Sequence, residues 1–464
     1  MSGFRPGRSG VAARVVAASA LTAAVLSLPL LLESTQDLWL GLAAIYAIIG
    51  LSVNIITGHA GQISLGHQAF VGIGAFMAAF IVRTVGGFQA DPETGLVIAP
   101  EVVATTDFWV GLVVAGATGT VMAVLLGLVA LRIRGLYLAL ITLSFGLMAE
   151  TTIFNWRAFT GGGAGAAAPR PAAFASNESY AYVCLAILAV FLFVDWRLVR
   201  SRAGRAMVAF RADERIASTI GVNVTAYKLL AFASAGFLAG VAGALFGHWN
   251  QAVQALDFDL RTALVWVLMA VVGGLGSRAG VVIGSAFFAV FPLYLSAAAG
   301  GATLEILGLG EVLIQTLSPL LGAFLLLLTI TLYPGGIGQQ ILPLRRWLAG
   351  GPLVTSRHEA LRLAGLPALV ALVGALMATD GAMANRLGLG AVVGVAAGVL
   401  AALLLLEYLR QLGRARPVAE DRGAEEPAGA GAGAAAGTAS AGATGSTAPA
   451  VPEPRRQPAG GPAR

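Results

Sequence analysis

The sequence predicts an all-α, polytopic integral membrane protein, and three observations carry that prediction. Only 11% of the residues are charged and 57% are hydrophobic, with mean hydropathy +0.82, whereas soluble domains run near 25% charged. The apolar residues fall in runs long enough to cross a bilayer. Those runs lack the apolar–polar alternation of barrel strands, which disfavours a β-barrel.

Taken in order, Arg5, Arg8 and Arg14 precede an apolar run over 15–32. It is longer than a signal-peptide core and has no small-residue cleavage site, so it reads as an uncleaved first span. Further spans are expected near 38–57, 68–83, 109–130, 136–155, 180–195, 227–247, 261–277, 281–298 and 312–333, which makes ten. A linker and an extra pair near 363–378 and 391–409 would fill 341–410. Residues 411–464 are dominated by Ala, Gly, Pro and Glu and read as a disordered tail, since they bury too little to offset chain entropy.

The basic residues set a topology. With residues 1–14 inside, the inner segments collect Arg132, Arg134, the arginines of 197–227, Lys228, Arg278, Arg345 and Arg346. The outer segments hold only Arg83, Arg157, Arg170, Arg261 and Arg386, and the outer loop 84–108 is acidic. This is the positive-inside pattern, with both termini cytoplasmic. The sequence pI near 9.9 follows from those loops and gives no reason to expect a nucleic-acid partner. The similar segments Phe70–Phe80 and Gly280–Phe291 run in the same direction and read as small-residue helix packing, not as an inverted repeat.

The stretch 197–227, RLVRSRAGRAMVAFRADERIASTIGVNVTAY, is a charged island between two apolar runs. Within it, Asp213 suits a helix start and Gly221 the left-handed position that ends one. Ile216 and Ile220 share a face beside Ala217. The segment is either a short helix that docks into a cleft on a soluble partner or a linker helix on the membrane surface.

Candidate chemistry is sparse. Cys184 is the sole cysteine, lies in an expected span and reads as packing. His59 and His67 are eight residues apart with glycines between, which suits helix-end hydrogen bonding better than metal binding. No metal, nucleophilic or other catalytic site is expected. The single lysine, Lys228, follows Tyr227, so the chain lacks the Gly-Lys pair of a phosphate-binding P-loop. Asn54, Gln62, Ser64 and Gln68 form a polar interruption between two spans, and Glu150 is a candidate intramembrane acid. Both patterns suit a solute path or interhelical hydrogen bonds.

Several motifs occur in a fixed order: GLSVNIITGHAGQISLGHQAFVGIGAF, RIRGLYLALITLSFG, TGGGAG, RADERIASTIGVNVTAYKLLAF, VVGGLGSRAGVVIGSAF and YPGGIG. Over residues 38–340 they resemble the LivM-type permeases of branched-chain amino acid ABC importers. Ala217, Gly221 and Asn223 resemble the EAA-type coupling loop, with its acidic residue displaced to Asp213 and Glu214. The resemblance implies a type II ABC-importer permease fold over 15–340, with about ten core helices. It implies a LivH-type second permease, two cytoplasmic ATPases that hold ATP and Mg²⁺, and an external solute-binding protein. The chain itself would bind no cofactor. Asp213, Glu214, Ile216, Ala217, Ile220, Gly221 and Asn223 would couple to an ATPase, with Ala217 and Gly221 closest to it. Gly61, Ser64, Leu65, Gly66 and Phe70 match the family signature near the path, which with the polar residues gives Asn54, Gly61, Gln62, Ser64, Gly66, Gln68 and Glu150 as path candidates. The chain departs from the family at Leu147, where a Glu is common, and at Val281, where a Pro is common. Substrates implied are branched-chain or other amino acids, or else urea or an aromatic or short-chain acid. A stand-alone secondary transporter and a membrane scaffold are the alternatives from other classes.

Overall fold

The computed structural model describes residues 34–299, except 86–88, 91–96, 99–103, 132, 134 and 163–164, together with Gly336. All of these belong to the first of two compact units, Met1–Arg410 and Gln411–Arg464. The expected spans at 15–32 and 312–333, the N-terminal segment, the extra pair and the tail lie outside the described residues.

Eleven α-helices occur among the described residues. They are α1 (Ser34–Val53), α2 (His67–Val85), α3 (Thr105–Ala130), α4 (Leu136–Met148), α5 (Arg157–Thr160), α6 (Asn177–Arg200), α7 (Arg202–Ala212), α8 (Glu214–Thr219), α9 (Val224–Asn250), α10 (Leu260–Gly273) and α11 (Arg278–Ala299). Wider π-type turns extend α1 over Asn54–His59 and α4 over Ala149–Ile153. Two short antiparallel ribbons complete the set. In the first, β1 (Gln89–Ala90) pairs with β2 (Val97–Ile98), and in the second β3 (Ala166–Ala167) pairs with β4 (Ala252–Val253).

Each of the eight spans expected between 38 and 298 coincides with an apolar helix, but they are of two kinds. Five are long enough to cross a membrane: Gln36–His59, His67–Thr84, Thr105–Val129, Asn177–Arg200 and Val224–Asn250. Tyr137–Ile153, Leu260–Gly273 and Arg278–Leu293 are shorter. The reason for α10 is local. Asp259 caps its start by accepting from Thr262 N at 2.7 Å, and Gly274 with φ 101° ends it.

Helices α1 and α9 form the centre. Both are apolar all round, which fits burial on every side. Helix α9 lies against α2 and α3, and its Ala and Gly residues let the backbones approach. A Cβ on Gly240 would strike the Ala115 carbonyl and lie 3.1 Å from Gly116 Cα, and one on Gly243 would strike the Val71 carbonyl. Lipid gives little hydrophobic drive between helices, so such close packing supplies much of their attraction. Helix α1 packs on α6, α9, α10 and α11. Valines 110, 113 and 121 of α3 and Val190, Phe193 and Val194 of α6 point outward, as lipid contact requires.

The described loops gather at two ends. At one end β3 pairs with β4 and Arg83 donates to the Ala158 carbonyl at 2.9 Å. There Arg170 donates to the carbonyls of His248 (2.9 Å) and Trp249 (2.8 Å) and to Asn177 (2.8 Å), with Tyr180 beneath its guanidinium. At the other end, the arginine-rich end, the turns around 58–62, 201–223 and 274–278 meet.

Replacing Gly240 with Leu should separate α9 from α3 and destabilise the fold by about 3 kcal/mol. The check is a lowered melting temperature in detergent with membrane insertion retained.

Candidate functional site at the arginine-rich end

The segment from α7 to the start of α9 is built by successive caps. Ser201 ends α6 and accepts from Gly204 N to begin α7 (3.3 Å). Asp213 is extended, and its Oδ1 accepts from Arg215 N at 2.7 Å and Ile216 N at 3.1 Å to begin α8. Helix α8 closes with Val222 N donating to Ala217 O and Gly221 N to Ser218 O, with Gly221 at φ 84°. That paired pattern with a left-handed Gly is a Schellman end. Asn223 then caps α9 through Ala226 N at 3.1 Å.

The cap and the glycine thus sit where the sequence placed them, but the faces of α8 do not. Ile216 and Ile220 are 63% and 69% exposed, forming an apolar outer face. Ala217 turns the opposite way and is 1% exposed, packed with Ala60, Met207, Phe210 and Ala231. The expectation that Ala217 stands among the closest outward contacts is therefore corrected: a six-residue helix has one inner face, and the smallest apolar residue fits it. Glu214 also turns inward, 2.6 Å from Lys228 Nζ on α9, and ties α8 to the bundle.

Beneath α8 lies a buried polar cluster. Asn54 in the π turn accepts from Gly276 N at 2.7 Å, and its Nδ2 is 3.4 Å from His59 Nε2. His59 Nε2 lies 3.4 Å from one oxygen of Asp195, whose other oxygen is 2.9 Å from Arg278 Nε. Asp195 has no exposed surface. Arg211 of α7 donates to the Gly58 carbonyl, and its stem covers Gly61. Four elements, α1, α6, α7 and α11, are joined here by charge and hydrogen bonds.

The expected path residues lie along the Gly-rich turn and the α4 helix it packs against. Asn54, Gln62, Ser64 and Gln68 are all buried. Gly66 abuts the Thr142 backbone, and Leu65 N donates to Thr142 Oγ1 at 3.0 Å. Gly61 and Gln62 share one cavity with Asp213 and Glu214. The turn reaches well along α4, with Gln68 against Gly146, and Glu150 follows four residues later, about 6 Å at 1.5 Å per residue. Among the described residues, no group of three or more His, Cys, Asp or Glu could hold a metal ion. Asp195, Arg278 and Lys228 were not singled out as site residues by the sequence. The available signal was a lone acid closing an apolar run and a lone Arg directly after a Gly-rich turn.

An apolar helical bundle with, among the described residues, five helices long enough to cross a membrane is the architecture of a multi-pass membrane protein. A family profile described as "Branched-chain amino acid transport system / permease component" matches residues 37–332, and the chain belongs to that family. It is 30% identical over 274 residues to the Salmonella typhimurium "High-affinity branched-chain amino acid transport system permease protein LivM", covering 53% of this chain and 60% of that protein. It is 29% identical over 277 residues to the Escherichia coli protein of the same name, covering 54% and 61%. It is 24% identical over 265 residues to the Salmonella typhimurium permease protein LivH, covering 54% and 81%. The chain thus spans about 60% of the length of the LivM proteins it matches. No solved structure matches it.

Replacing Asp195 with Ala leaves Arg278 facing His59 without a counter-charge, which should cost about 3 kcal/mol. Adding Arg278→Met should recover part of that loss. Melting temperatures of the single and double variants check this.

Proposed function

We propose that this chain is a permease subunit of an ABC importer, carrying branched-chain or other small amino acids inward across the cytoplasmic membrane. ATP, with Mg²⁺, is hydrolysed in two partner ATPases, since the chain has no Gly-Lys pair for a P-loop. A LivH-type permease and an external binding protein complete the assembly, in a type II importer arrangement. Both termini and the arginine-rich end face the cytoplasm, in line with the positive-inside pattern.

The observation that carries this reading is the outer face of α8. Ile216 and Ile220 project from a helix pinned by a cap, a buried Ala and an ion pair. Burying an isoleucine in a partner's groove is worth about 1.5–3 kcal/mol each. Because the pinning is internal, a shift of α8 on an ATPase passes into α9 and the bundle.

Two measurements test the proposal. The pair Ile216→Asp and Ile220→Asp should leave the chain folded but lose co-purification of both ATPases, and with it ATP-driven uptake in proteoliposomes; unchanged assembly would refute the docking role. Gly221→Val forces a β-branched residue into the left-handed region, at about 1–2 kcal/mol, and should weaken uptake while membrane insertion stays intact. A panel of amino acids, urea and aromatic acids in the same assay identifies the solute. Uptake by the chain alone on an ion gradient would overturn the proposal.

A further inference from the structure

From Ser179 to Ala212 the chain carries five arginines and one acid, Asp195. That acid is buried and faces His59 and Arg278, so it answers none of the five. Arg211 is engaged with the Gly58 carbonyl. The other four, Arg197, Arg200, Arg202 and Arg205, are exposed, and none has a carboxylate partner among the described residues.

These side chains are held in place. Arg200 lies over the Trp196 ring, its Cζ 4.6 Å from the centroid, and Trp196 stacks on Phe193 with centroids 5.8 Å apart. Arg205 reaches back across the corner between α6 and α7 and donates to the Arg200 carbonyl at 3.0 Å. Arg202, between them in sequence, starts α7. Like charges gathered in this way repel, and an anion seated among them removes the conflict.

The same side of α6 changes character along its length. Val190, Phe193, Arg197 and Arg200 recur at spacings of three or four residues, so they share one face. Val190 and Phe193 are 58% and 61% exposed, as contact with acyl chains requires. The unpaired cations follow within the next two turns. An apolar strip that runs into a basic corner has the polarity of a phospholipid, chains first and headgroup after. A free phosphate would use the charged half alone. A soluble acidic partner could not follow the face into the bilayer.

We propose that the α6–α7 corner binds an anionic phospholipid. Arg200, Arg202 and Arg205 hold its phosphate, and its chains lie along Val190 and Phe193. Phosphatidylcholine carries a cation beside its phosphate and meets the arginines less well. The bound lipid fastens the corner from which α7 leads into α8, so it sets the level at which the outward isoleucines stand. This site does not depend on the transport reading.

The test uses the whole chain in a non-ionic detergent, stripped of lipid and titrated with fluorescent phosphatidylglycerol by anisotropy. Binding should saturate, weaken with added NaCl, and exceed that of phosphatidylcholine with the same chains by about tenfold or more. At about fivefold per arginine, the combined Arg200→Gln, Arg202→Gln and Arg205→Gln should weaken it on the order of a hundredfold. Arg202→Gln alone should weaken it about fivefold with the melting temperature unchanged, which decides the matter if the triple variant unfolds. Arg157→Gln, at the opposite end, should change nothing. Equal affinity for phosphatidylcholine would overturn the proposal. So would displacement by millimolar inorganic phosphate, the mark of a plain anion site. Unchanged lipid affinity in the arginine variants would sink it as well, and if co-purifying ATPases were lost in the same variants the patch would belong to them.

Discussion

A carboxylate without any exposed surface holds the arginine-rich end together. Asp195 closes the apolar run of α6, and its two oxygens face His59 and Arg278 from two other parts of the chain. Withdrawing a charge from water is costly unless partners compensate. The ends of α1 and α11 must therefore converge on α6 for the cluster to exist. Arg211 and Asn54 extend the same convergence to α7 and the Gly-rich turn at 276. The docking segment rests on this floor, and its position is set by it.

The rest of the bundle answers to a different constraint. Helix α9 crosses between α2 and α3 with glycine and alanine at the contacts, so backbone meets backbone. Such an interface has little tolerance for added volume. Together the two constraints divide the molecule into a dry, closely packed body and a polar end whose contacts are directional.

Much of this was legible in the sequence because it depends on short-range patterns. Eight apolar runs became helices, and the Asp213 cap and the Gly221 terminus appeared where their chemistry places them. The failures were long-range. The inward turn of Ala217 depends on Met207 and Phe210 across α7, which helical periodicity within α8 does not encode. The pairing of Asp195 with Arg278 joins positions 83 residues apart in the chain. The wide turns after Val53 and Met148 leave no propensity signal, and they set where Asn54 and Glu150 point.

The junction between α8 and α9 has a mechanical consequence. Only the residues 220–223 separate the two helices, and Lys228 clasps Glu214 across the bend. Four residues, three of them fixed in terminal hydrogen bonds and one in a cap, leave no slack. Helix α9 runs 27 residues, about 40 Å at 1.5 Å per residue. A small tilt imposed at its base becomes a displacement of several ångströms at its far tip, where β4 and Arg170 are fastened. The chain is geared so that the least conspicuous helix drives the longest one.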